Sequence, residues 1–293
     1  MRLKSALRRG VAAAVIAGIV VSSGIPAYAA RWDIADGDIT VKAGDEGTNR
    51  VTQGKKENVE DTNTVITGES GKNTVTIDTS EGNVDVTFDD LKIDVSGKKE
   101  GDGSGDSPVD AGKAAVTVQG GGDATIELDG KNELKSGSGN AGLEKNKHES
   151  KGTLTIKDDK GKDGSLTAEG GDDGAGIGGG IGSTGSSITI RGGAVEAVGG
   201  SNAAGIGDGA GPWSEPDPDT PPSNPSNPNN IIICGDAEVT AKAGSQILDA
   251  KAPAIGGSYG EVPTDALSDA EHKVTGGRLT RLNADGTVME GMG

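Results

Sequence analysis

Asp158, Asp159 and Asp163 lie in one short stretch with Gly161 and Gly164 between and beside them. Clustered carboxylates in a glycine-containing loop suit Ca2+, a hard cation that takes ~6–8 oxygen ligands. The competing reading is a solvated acidic turn, since neither the EF-hand spacing nor the calcium-binding nonapeptide is present. Ca2+ is thus the only cofactor the residues suggest. His148 and His272 are the only histidines, and neither has a motif around it that would make a base for a nucleophile. With one cysteine, Cys234, there is neither zinc-ligand spacing nor an intrachain disulfide. No catalytic residue is assigned. Gly174, Gly176 and Gly179 satisfy G-x-G-x-x-G, but Gly180-Ile181-Gly182 follows where a dinucleotide site needs a helix N-terminus, so they are read as structural corners. For a sugar, the useful groups are aromatic platforms. Trp213 and Tyr259 are the two candidates for exposure, as stacking surfaces or as residues packing a loop onto the core. Trp32 is read as a cap on the N-terminal end and Phe88 as a core plug.

What positions these residues is a repeat. Gly174 to Gly180 returns as Ala203 to Gly209, with Ile177 and Ile206 29 residues apart. A third copy, Pro253 to Gly257, follows after a Pro/Asn/Ser/Asp-rich insertion, 212–230, whose removal restores a period of about one turn. Alternating strings keep step with the glycines: Ala124 to Leu128, Thr153 to Ile156, Ser187 to Ile190 and Ile231 to Cys234. A second short string follows each, as at Ser165 to Ala168 and Ala194 to Val198. Period-two alternation marks strands with one buried face. A coil of about 29 residues per turn, made of short strands and glycine corners, predicts an all-β right-handed parallel β-helix. A sandwich would show hairpin signals without the longer self-similarity.

Composition agrees with a thin core. Of 293 residues 52 are glycine, and the chain has two Trp, two Tyr and one Phe, against a usual glycine share of ~7 per cent. Arg2, Lys4, Arg8 and Arg9, the apolar run to Ile25, and Ala27-Tyr28-Ala29 read as a signal peptide over 1–29, giving an extracellular or surface-associated protein with no transmembrane segment in the mature chain. Taking those four cations from 28 leaves 24 basic against 45 acidic residues, a net of −21. Such a field excludes nucleic acid as a partner and favours solubility. The β-helix is expected over 30–258, with 259–293 a last rung, cap or tail.

The succession WDIADGDITVKAG, NTVTI, GKAAVTVQG, ATIELDGKNELKSG, NAGLEK, GTLTIKDDKGKDGSLTAEGG and GAGIGGG resembles a family of secreted bacterial carbohydrate-binding domains. The likeness runs from Trp32 to Gly257; the proline-rich insertion and the lack of a wall-anchoring tail depart from it. It implies a right-handed parallel β-helix, similar in shape to pectate lyases, that binds a cellulose-like or uronic-acid-containing polysaccharide without catalysis, in some members with calcium. Two other functions remain open: a stiff adhesive or structural spacer, and a pectate-type lyase, for which Arg191 is the only arginine in a clear rung.

Overall fold

The computed structural model describes residues 30–97, 112–210, 227, 229–245, 252–257, 260–262, 267 and 277–289. The expected signal peptide, most of the proline-rich insertion, Trp213, Tyr259 and His272 lie outside the described residues.

Each alternating string forms a strand that pairs, in parallel, with its counterpart one turn away, and three stacks of strands result. The first face runs Arg31–Asp33, Thr64–Ser70, Val84–Asp94, Ala124–Asp129, Leu154–Lys157, Ile188–Ile190 and Ile231–Ile233. The second runs from the end of Val84–Asp94 through Lys131–Lys135, Ser165–Glu169, Ala194–Val198 and Glu238–Lys242 to Arg278–Leu282. The third contains Ile39–Ala43, Val75–Asp78, Val116–Gln119, Leu143–Glu144, Ile177–Gly178, Ile206–Gly207 and Ile255–Gly257. The first two faces form one sheet because Val84–Asp94 continues round the corner, bending where Asp90 takes φ +51°. The chain is a parallel β-helix.

Ladders of identical or similar side chains fill the interior. On the first face Val86, Ile126, Ile156, Ile190 and Ile233 are successive register partners, all buried. On the third, Ile39, Val75, Val116, Leu143, Ile177, Ile206 and Ile255 form an unbroken column. Stacking at the ~4.8 Å strand separation lets slim aliphatic groups touch along the whole axis, so large aromatics are not needed to close the core. Phe88 is fully buried, as a plug should be. Cys234, the one cysteine of the chain, is buried.

Turn length varies at the corners, not in the strands. Leu166 pairs with Val195 and Ile177 with Ile206 at 29 residues, whereas Leu154 pairs with Ile188 at 34 and Val84 with Ala124 at 40. Corners can lengthen because nothing in the ladders depends on them. The proline-rich insertion enters at such a corner, but its far end is part of the fold. Asn227 is buried and brackets Ile231, donating from Nδ2 to its carbonyl at 2.6 Å and accepting from its N–H at 2.9 Å.

The N-terminal end is covered by the antiparallel strands Asn49–Gln53 and Lys56–Asp61. Trp32 is buried beneath them; its Nε1 donates to Asp61 at 2.7 Å and Lys56 Nζ sits 5.3 Å from the ring centre. At the other end Arg278–Leu282 pairs in register with Glu238–Lys242.

Candidate functional site

The acidic turn is built as a clasp. Asp158 is buried, and its two carboxylate oxygens accept the backbone N–H groups of Lys162 at 2.8 Å and Gly164 at 3.0 Å. Asp159 is held by Lys157 at 2.9 Å and by a short ion pair to Arg191. The Lys157 hydrogen bond, reinforced by Arg191, holds the Asp159 carboxyl below the usual range against a smaller opposing effect of burial. Glu127, one turn earlier, accepts from the N–H groups of Asp159 and Lys160 and pairs with Lys157 at 3.3 Å. Asp163 is exposed. The three carboxylates expected to bind Ca2+ therefore do not converge as an oxygen cage: two are committed to backbone donors or cations. Among the described residues no group of three or more Asp, Glu, His or Cys side chains is arranged to hold a metal ion. Arg191, the arginine a lyase would use, is tied to Asp159 and extends the stacked series Glu127, Lys157, Arg191 along the first face.

The strongest perturbations of proton affinity lie inside the wall. Glu144 is buried at the third-face corner, where desolvation raises its pKa to about 6 despite hydrogen bonds from the Ala141 N–H and the Asn146 side chain. Its neighbour Lys145 is buried too; desolvation lowers its pKa to about 8, and its Nζ donates to the carbonyls of Ser186 at 2.9 Å and Ser150 at 3.3 Å. These bonds tie successive turns together. Perturbed groups often mark catalytic sites, but both side chains are closed off from solvent, and the arrangement does the work of a corner staple.

Surface access is found on the second face. Its outward positions carry side chains in register: Lys131, Ser165, Ala194, Glu238 and Arg278 in one column, and Glu133, Thr167, Glu196, Thr240 and Thr280 in the next. The small Ser165 and Ala194 leave an open trough of about 400 Å³ between taller neighbours. From Lys131 to Arg278 it crosses four strand spacings, roughly 19 Å. Lys131 pairs with Glu133 at 2.6 Å and Arg278 with Glu238 at 3.3 Å. Glu196, exposed between Thr167 and Thr240, makes no ion pair or hydrogen bond among the described residues. None of these residues stands out in the sequence: they fall in no motif, and only the register aligns them. The signal that could have found them is the outward position repeated in each second strand, with two small residues, Ser165 and Ala194, between the larger Lys131 and Glu238.

A family model described as a β-helix repeat matches residues 162–181 and 188–210. Those segments cover one whole turn, including the trough residues Ser165 and Ala194, and agree with the fold. No curated protein and no solved structure gives a match. No helix among the described residues is long and apolar enough to cross a membrane.

Proposed function

We propose that this chain is an exported, non-catalytic polysaccharide-binding protein and that the second-face trough is its binding surface. The observation that carries the reading is the trough's form: an open surface across successive strands, with Thr167, Glu196, Thr240 and Thr280 in one outward column and cations only at its ends, Lys131 and Arg278. A linear polymer presents repetitive donors and acceptors, which an extended polar surface can meet at any point along the polymer's length. Thr167, Thr240 and Thr280 offer hydroxyls that both donate and accept, the pairing a sugar hydroxyl needs. The resemblance to secreted carbohydrate-binding domains and the leader-like N-terminus support the same reading.

A pull-down of the protein on a panel of insoluble polysaccharides tests this. An Ala194→Trp variant, which fills the trough floor from an exposed position, should lose retention while keeping the parent melting temperature. Equal retention by both proteins on every polymer, or retention by neither, would leave a stiff spacer as the better account.

A further inference from the structure

The charge left over in the trough points to the kind of polymer it takes. Both cations of the lining, Lys131 and Arg278, are spent on carboxylates of this chain. Glu238 is the partner of Arg278, which leaves Glu196 as the one charged group of the lining with no counter-ion among the described residues. It stands mid-trough, with Thr167 on one side and Thr240 on the other in register. The surrounding field has the same sign, because acidic residues outnumber basic ones by 45 to 28 over the whole chain. A uronic-acid polymer would meet repulsion with no free cation to receive it. A neutral polymer would satisfy the hydroxyls and leave Glu196 without a charged partner.

We propose that the trough takes a linear polysaccharide bearing free amino groups, of the glucosamine type, with the sugar ammonium donating to the Glu196 carboxylate and neighbouring hydroxyls bonded to Thr167 and Thr240. This rests on the polysaccharide-binding reading above and narrows it to one ligand class. An ammonium–carboxylate hydrogen bond is roughly twice as strong as a neutral one, so a single repeated amine gives both affinity and selection against the acetylated polymer, whose amide carries no charge.

The test uses the full chain, calorimetry at slightly acid pH and about 0.15 M salt, and three tetrasaccharides: glucosamine, N-acetylglucosamine and glucose, all β-1,4-linked. Because any acidic protein attracts a polycation, the control is Glu57→Gln, an equal change of charge at an exposed position of the N-terminal cover. The glucosamine ligand should bind, Glu196→Gln should weaken it about tenfold or more, and Glu57→Gln should change it less than about twofold. The acetylated ligand should bind at least about tenfold more weakly than the free amine. Equal losses in the two variants would reduce the attraction to diffuse charge and overturn the proposal. Binding of the glucose or acetylated ligand that ignores Glu196→Gln but is lost in Ala194→Trp would overturn the amino-sugar assignment and leave the trough a glycan site. Failure of all three ligands to bind would remove both.

Discussion

Leu166 and Val195 on the second face and Ile177 and Ile206 on the third are inward register partners one turn apart, 29 residues in each case. The residue after each points outward, and there the faces part company. Thr167 and Glu196 follow on the second face; Gly178 and Gly207 follow on the third. Both glycines take positive φ, +139° and +134°, and a Cβ on Gly178 would run into the Gly207 carbonyl, while one on Gly207 would run into that of Gly256. The chain uses that lack of side chain to fold its corner over the sheet. Gly179 donates to the Gly207 carbonyl, Gly209 to that of Ser183, and the buried Asp208 carboxylate accepts from the Gly185 N–H and the Asn229 side chain. One ladder geometry thus gives a sealed wall where the outward residue is glycine and an open polar surface where it is not. Earlier on the third face the outward column is Thr40, Thr76 and Thr117, and the wall is open there as well.

The largest effect should come from breaking the sealed wall. Gly207→Ala places a side chain at a strained φ and against a carbonyl with no room to move, so a loss of more than about 3 kcal/mol is expected in denaturant unfolding. A change of one outward group on the open face, Ser165→Ala, should stay within about 0.5 kcal/mol. Comparable losses in both would remove the distinction between the faces. Next, Ile190→Ala in the shared ladder should cost about 2–5 kcal/mol, whereas the outward Thr189→Ala beside it should cost little; the same unfolding curves report both.

The corner staple makes the sealed wall sensitive to pH. Glu144 has its folded pKa raised to about 6 from 4.5, so the folded state favours the protonated form. Its contribution is therefore gained as pH falls through about 6 and is complete below the unfolded value; raising the pH from 4.5 to above 6 loses it, about 2 kcal/mol. Lys145 has its pKa lowered to about 8 from 10.5, so the neutral amine is favoured on folding, and stability is gained as pH rises from about 8 toward 10.5. Comparison with Glu144→Gln across pH 4 to 7 isolates the first effect; parallel stability curves for the two proteins would contradict it.

The smallest expected effect concerns the acidic turn. Asp158→Ala should cost about 1–3 kcal/mol, because the Lys162 and Gly164 N–H groups lose their acceptor. The melting temperature of the parent protein should not change when Ca2+ or a chelator is added. A rise of several degrees with Ca2+, lost in Asp158→Ala, would show that the clasp opens to hold the ion.

Strands and ladders were legible because alternation and the 29-residue spacing of Ile177 and Ile206 follow directly from the pleat and from one turn of the coil. The variable corners were not: Leu154 to Ile188 is longer by five residues than Ile177 to Ile206, and no local rule fixes how much chain a corner holds. In the sequence the acidic turn reads either as a Ca2+ site or as a solvated turn, because sequence shows carboxylates but not their partners. Lys162 and Gly164 offer backbone N–H groups to Asp158, and Arg191 reaches Asp159 from the next turn, 32 residues away. The trough was invisible for a related reason. Ser165, Ala194 and Glu238 become neighbours only through register, and their small-small-large order has no meaning along the chain.

The comparison of faces turns on where a glycan touches the coil. Backbone amide chemical shifts, followed by NMR while the polysaccharide fragment that binds most tightly is added, test it directly. The account predicts shifts concentrated at Ser165–Glu169, Ala194–Val198 and Glu238–Lys242, with the Gly178 and Gly207 amides unmoved. Shifts centred on the first or third face, with the second-face strands silent, would contradict it.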